Sequence, residues 1–174
     1  MTLANRITII RIVLMPVFII TLLQGLYPWP ALIFSFSVIT DALDGFIARY
    51  RKQITPLGSF LDPMADKLLM FSSYLLCAHL KIIPVWVFVV ILSRDILIVL
   101  GWAIIYFITN SKEIKPRLSG KLTTIIQMFT MWVILLNVLP GPFVDALLYA
   151  TIVFTTVSGL DYIYIGSRKL NRNA

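Results

Sequence analysis

An all-α integral membrane protein is the fold this sequence predicts, on three observations. Of 174 residues, 59% are hydrophobic and 13% charged; the mean hydropathy is +0.92; and apolar runs long enough to cross a bilayer recur along almost the whole chain rather than at one end. The length suits one domain, residues 1–174, and the runs leave no space for a separate soluble module.

Six transmembrane helices are expected, at roughly residues 7–24, 29–48, 59–80, 82–108, 121–139 and 143–165. Helix breakers separate them: Gln24-Gly25 followed by Pro28 and Pro30, Thr55-Pro56, Lys81 to Pro84, Asn110 to Pro116, and Pro140-Gly141-Pro142. Arg6 and Arg11 ahead of the apolar run Ile12 to Leu23 imitate a secretory signal, but no small-residue cleavage site follows, so the first span is expected to stay in the mature protein. Pro63 predicts that the regular helix of the third span begins close to Asp62 or bends there.

Orientation follows from the basic residues. Arg6, Arg11, Arg49, Arg51, Lys52, Lys67, Lys112, Lys115, Arg117, Lys121, Arg168, Lys169 and Arg172 fall toward one side of a six-span arrangement, and Lys81 toward the other. Basic residues gather in cytoplasmic loops, so both termini and the 49–58 loop are expected in the cytoplasm, with the chain integral to the cytoplasmic (inner) membrane. The same rule accounts for the pI near 9.8 without a nucleic-acid partner. Cys77, the single cysteine, can form no intrachain disulfide, and His79, the single histidine, reads as interfacial.

Against this background the acidic residues are misplaced. Four of eight, Asp41, Asp44, Asp62 and Asp66, fall where the second span ends and the third begins. A carboxylate at the centre of a span costs about 2.5–3.5 kcal/mol on insertion scales unless it is paired or solvated. Spacings of three and four positions put each pair on one helix face, and a short loop between antiparallel helices points both faces into one cleft. An all-oxygen donor set of this kind suits Mg²⁺ or Mn²⁺, and four carboxylates have room for two ions. Gly45, Ala48 and Gly58 edge the acidic face with little or no side chain, and Arg49 adds a bidentate donor suited to phosphate. Metals, an arginine and steric clearance together describe a diphosphate site.

These residues closely resemble a known family. Asp41-x-x-Asp44-Gly45-x-x-Ala48-Arg49, eight residues, then Gly58-x-x-x-Asp62-x-x-x-Asp66 reproduces without a gap the motif of the CDP-alcohol phosphatidyltransferases. Asn5-x-x-Thr8-x-x-Arg11 looks like that family's short amphipathic N-terminal segment, while Ser93-Arg94-Asp95 and Gly120-Lys121-x-x-Thr124-x-x-Gln127 are similar to the branch making phosphatidylglycerol phosphate or cardiolipin. The resemblance implies that Asp41, Asp44, Asp62 and Asp66 hold the metals, with Asp66 also the general base. It implies that Asn5, Thr8, Gly45, Ala48, Arg49, Thr55 and Gly58 cradle the cytidine diphosphate of CDP-diacylglycerol. An alcohol would then attack the phosphatidyl phosphorus and expel CMP. A homodimer is implied as well.

Arg94, Arg117 and Lys121 near the cytoplasmic end favour an anionic acceptor over an amine such as ethanolamine. Glycerol 3-phosphate is expected first, and phosphatidylglycerol, giving cardiolipin, second. A bland reading of Arg94 is pairing with Asp95, although adjacent helix positions face each other poorly. Cation transporters also carry intramembrane acids, in two related halves, but the second half here has no counterpart to the four aspartates, since Asp145 and Asp161 fall near the ends of the last span.

Overall fold

The computed structural model describes the backbone over residues 3–51, 56–109 and 118–173, and the side chains over residues 8–41, 64–101, 103 and 118–164. Among the described residues there are six helices and no strand: α1 (Leu3–Leu23), α2 (Trp29–Arg51), α3 (Pro56–His79), α4 (Val85–Thr109), α5 (Leu118–Leu136) and α6 (Gly141–Asn173). All-helical structure is what lipid demands of an apolar chain, because a helix satisfies its backbone polar groups within one segment.

The breakers end helices by a shared geometry. Gly25 turns left-handed at φ 65°, its N–H bonding Leu22 O at 3.1 Å while Leu26 N–H reaches back to Thr21 O at 3.0 Å, which closes α1 with a Schellman cap. Lys81, at φ 60°, closes α3 the same way, with its N–H on Ala78 O at 3.1 Å and Ile82 N–H on Cys77 O at 2.9 Å. Asn137, at φ 53°, ends α5 at Leu136, three residues short of the expected 139. Pro63 marks no helix start. The helix of the third span begins at Pro56, where a missing N–H costs nothing in a first turn, and not near Asp62. The short N-terminal segment forms the first turns of α1, which continues unbroken through Pro16.

The chain divides into two compact units, Met1–Ile82 with Met131–Val138 and Ile83–Thr130 with Leu139–Ala174. In the first, α1 packs on both α2 and α3, and α2 also meets α3. Its interior holds Phe18 and Phe34, whose ring centroids lie 6.5 Å apart, together with Leu22, Tyr74 and Cys77. Cys77 and Met131 bring their sulfurs to 3.8 Å, and Trp132 donates its indole N–H to Ser35 Oγ at 2.7 Å.

In the second unit α4 packs on α6, while α5 and α6 run antiparallel and are joined by polar side chains in an otherwise apolar surround. Thr123 Oγ1 donates to Phe154 O at 3.2 Å, Gln127 Nε2 to Thr155 Oγ1 at 3.0 Å, and the hydroxyls of Thr130 and Thr151 share a bond of 2.8 Å. Near the start of α5, Ser119 Oγ donates to Asp161 Oδ2 at 3.0 Å. Such interhelical bonds in membranes contribute about 0.6 kcal/mol each on average.

The outward faces are as apolar as the interior. Val13, Val17 and Ile20 on α1, Leu32, Phe36 and Ile39 on α2, Leu68, Phe71 and Leu75 on α3, and Leu122, Ile125 and Phe129 on α5 are all exposed at helical spacing. Water-soluble proteins seldom display such surface continuously. By length and composition α5 and the stretch Gly141–Tyr164 of α6 are apolar enough to cross a membrane; the apolar helical stretches Thr8–Leu23 and Trp29–Asp41 are shorter.

One close approach sets the packing of α4 on α6. A Cβ added to Gly101 would stand 2.7 Å from Cε1 of Tyr162. Gly101→Val should therefore lower thermal stability in detergent by about 1–3 kcal/mol, the usual cost of overpacking. Combined with Tyr162→Ala, most of that loss should disappear, which thermal unfolding of the two single variants and the double variant will show.

Candidate active site

The acidic motif lies on two helices that meet. Asp41 is on α2 and Asp66 on α3, and the helical backbone is continuous from Asp41 through Asp44 to Arg51 and from Pro56 through Asp62 to Asp66. α2 and α3 pack against each other, and α1 packs against both. Asp41 and Asp66 are half-buried, at the border between the apolar interior and the surface. The side chains of Asn5, Asp44, Gly45, Ala48, Arg49, Gly58 and Asp62 lie outside the described residues, as do Thr55 and Arg117 altogether.

What α1 brings to this end is a buried polar pair. Thr8 is fully buried and Arg11, nearly one turn on, is 7% exposed. Arg11 Nη1 sits 2.5 Å from Oδ1 of Asp41, with the arginine side chain 5% and the aspartate side chain 38% exposed. A short charge-assisted bond of this kind offsets part of the cost of placing a carboxylate among apolar helices. Thr8 was an expected site residue. Arg11 was legible only as the last member of a spaced triplet; the signal that could have singled it out is that it interrupts an apolar run on a helix that must bury one face.

A divalent cation is implied by the acidic motif, and the residues fit one. Asp41 and Asp66 offer hard oxygen donors from two packed helices, and the only nitrogen or sulfur candidates, His79 and Cys77, are in the last turn of α3 and buried deep in its packing respectively. Among the described residues no three potential ligands come together; Asp44 and Asp62 complete the motif beyond them.

The second unit carries the basic candidates. Arg94 is 6% exposed, and the pairing that adjacent helix positions disfavour is nonetheless present, with Nη1 on Asp95 Oδ1 at 2.8 Å. Its Nη2 donates to Ser158 Oγ at 3.1 Å, while Nε is buried and makes no hydrogen bond among the described residues. Gly120 admits this guanidinium, since a Cβ there would lie 3.2 Å from Nη2. The Ser93-Arg94-Asp95 and Gly120-Lys121 motifs therefore meet at Arg94 and Gly120, whereas Lys121 itself is exposed. Sequence reading missed Ser158, Ser119 and Thr123, and had Gln127 only as the last member of the Gly120 motif; a spacing of four among polar residues in an apolar helix was the available signal.

Comparison with known proteins agrees with the motif. Residues 1–157 match the family model described as CDP-alcohol phosphatidyltransferase. The chain is 32% identical to the CDP-diacylglycerol–glycerol-3-phosphate 3-phosphatidyltransferase of Bacillus subtilis, over 92% of each protein. It is 35% identical to a probable phosphatidylglycerophosphate synthase of Mycobacterium tuberculosis, over 92% of this chain and 79% of that one. A probable cardiolipin synthase (CMP-forming) of Drosophila melanogaster is 32% identical over 94% of this chain and 57% of its own length. The chain belongs to the CDP-alcohol phosphatidyltransferase family.

Proposed function

We propose that this phosphatidyltransferase makes phosphatidylglycerol phosphate, transferring the phosphatidyl group of CDP-diacylglycerol to glycerol 3-phosphate and releasing CMP. The observation that carries the reading is the unbroken acidic motif on two packed helices, in a chain collinear over 92% of each protein with one named for that reaction. Cardiolipin synthesis from phosphatidylglycerol is the second reading, favoured by the Drosophila relative. The two acceptors share a glycerol hydroxyl beside a phosphate, so one basic pocket serves either chemically.

In this proposal the chain is one membrane domain of six spans, with both termini and the site on the cytoplasmic face of the inner membrane. The asymmetry of basic residues supports that orientation. A site at that border suits a reaction between a lipid-anchored diphosphate and water-soluble partners. Asp41, Asp44, Asp62 and Asp66 would hold Mg²⁺ or Mn²⁺, in two ions. When bound, the metal neutralises the diphosphate and the charge that develops on departing CMP.

The remaining roles fall to side chains. Arg49 receives phosphate oxygens, Gly45, Ala48 and Gly58 leave clearance for the nucleotide, and Asn5, Thr8 and Thr55 complete the cradle. Asp66 accepts the proton of the acceptor hydroxyl as its oxygen bonds to phosphorus and the bond from phosphorus to the CMP oxygen breaks. Arg94, Arg117 and Lys121 draw the acceptor's phosphate; at Arg94 the buried Nε retains a donor for it.

The deciding experiment incubates purified protein with CDP-diacylglycerol, Mg²⁺ or Mn²⁺ and each acceptor in turn, following CMP release. Glycerol 3-phosphate should support release and phosphatidylglycerol much less; the reverse order selects the cardiolipin reading, and no release with any alcohol ends both. Chelation with EDTA should abolish release, and restored Mg²⁺ or Mn²⁺ should recover it. Asp66→Asn should lower kcat by about 10²–10⁴, the range general-base catalysis provides; unchanged turnover rules out its role. Arg94→Ala should raise KM for glycerol 3-phosphate about tenfold, as expected for loss of a charged hydrogen bond, whereas a purely structural arginine would change thermal stability and leave KM in place.

A further inference from the structure

Arg11 has no part in the chemistry just described, yet among the described residues it and Arg94 are the buried charged side chains. A buried guanidinium is costly unless it is paired. One partner lies 30 positions along the chain on a different helix, and it is the first aspartate of the acidic motif. The exposures are unequal: the arginine side chain is 5% exposed and the aspartate side chain 38%. Arg11 thus approaches Asp41 from the packed interior, while the carboxylate remains accessible from outside. Among the described residues Asp41 accepts a side-chain hydrogen bond through Oδ1, which leaves Oδ2 available to ligate a cation.

Two consequences follow from elementary electrostatics. A fixed cation behind Asp41 offsets the repulsion between it and the carboxylate three residues on, so the acidic face can assemble before any ion arrives. A bond to one oxygen also fixes the carboxylate rotamer, and carboxylates that bind metals are held in this way by partners behind them.

We propose that Arg11 is a positioning residue for the acidic motif: by holding Oδ1 of Asp41 from α1, it presents Oδ2 to the divalent cation and sets the affinity of the site. The proposal rests on the reading of Asp41 as a cation ligand. It places α1, which carries none of the motif's aspartates, in control of metal binding.

The test uses the full chain in detergent with Mn²⁺ as probe, binding being followed by the electron paramagnetic resonance of free Mn²⁺ and each variant first checked as folded by gel filtration. Arg11→Met should weaken Mn²⁺ binding about 10- to 100-fold, the usual effect of losing a partner behind a metal ligand. Arg11→Lys, which keeps the charge without the planar fork, should lose less. If Arg11→Met is not recovered folded, Arg11→Gln takes its place. In EDTA, with no metal present, the stability losses of Arg11→Met and Asp41→Asn should be non-additive, the double variant being no less stable than the worse single one. Asp41→Asn separates the two layers of the argument. If it leaves Mn²⁺ binding unchanged, Asp41 is not a ligand, and the proposal falls with that reading. If it weakens binding while the Arg11 variants bind as the parent does, the ligand reading stands and the positioning role is overturned.

Discussion

The described structure depends on how its polar groups are satisfied among apolar helices. Where apolar side chains point outward as well as inward, a polar group on a buried or lipid-facing surface is costly unless another part of the protein satisfies it. The backbone meets that demand by being helical. Side chains meet it by bonding to the preceding turn, as Ser37 and Ser73 do, or by reaching across to another helix. Among the described residues the buried polar side chains are therefore few, and most have an identifiable partner.

Seen in this way, the two units use polarity for different ends. In the first, α1 supplies Thr8 and Arg11 to the end of the unit where α2 and α3 carry the acidic motif, so charge is drawn to one place and balanced there. In the second, hydroxyl, amide and guanidinium groups are spread along the length of the helices, where they fasten α5 and α4 to α6. One arrangement concentrates potential for chemistry; the other distributes adhesion.

Much of this was legible in the sequence. The left-handed positions Gly25 and Lys81 fall in the breakers read there, because capping depends on a few adjacent residues. The acidic motif was legible for the same reason: its parts are local, at three- and four-residue spacing on two consecutive helices. What escaped depends on residues distant along the chain. Nothing near Arg11 announces Asp41, nothing near Arg94 announces Ser158, and the pairing of Arg94 with its own neighbour Asp95 runs against simple helix geometry. Of the two readings of Pro63, a helix start near Asp62 does not hold: α3 begins at Pro56 and its helical backbone runs on through Pro63, as that of α1 does through Pro16.

The antiparallel ladder between α5 and α6 also bears on how such a chain can change over generations. Thr130 with Thr151, Gln127 with Thr155, and Ser119 with Asp161 are rungs at successive heights. One residue inserted into α6 between Thr155 and Asp161 would rotate all that follows by about 100° and carry the later rung out of register. Substitutions on the outward face, at Val153 or Val157 for example, disturb no rung. On that outward face of α6 composition is free to drift, while the length of the stretch is not.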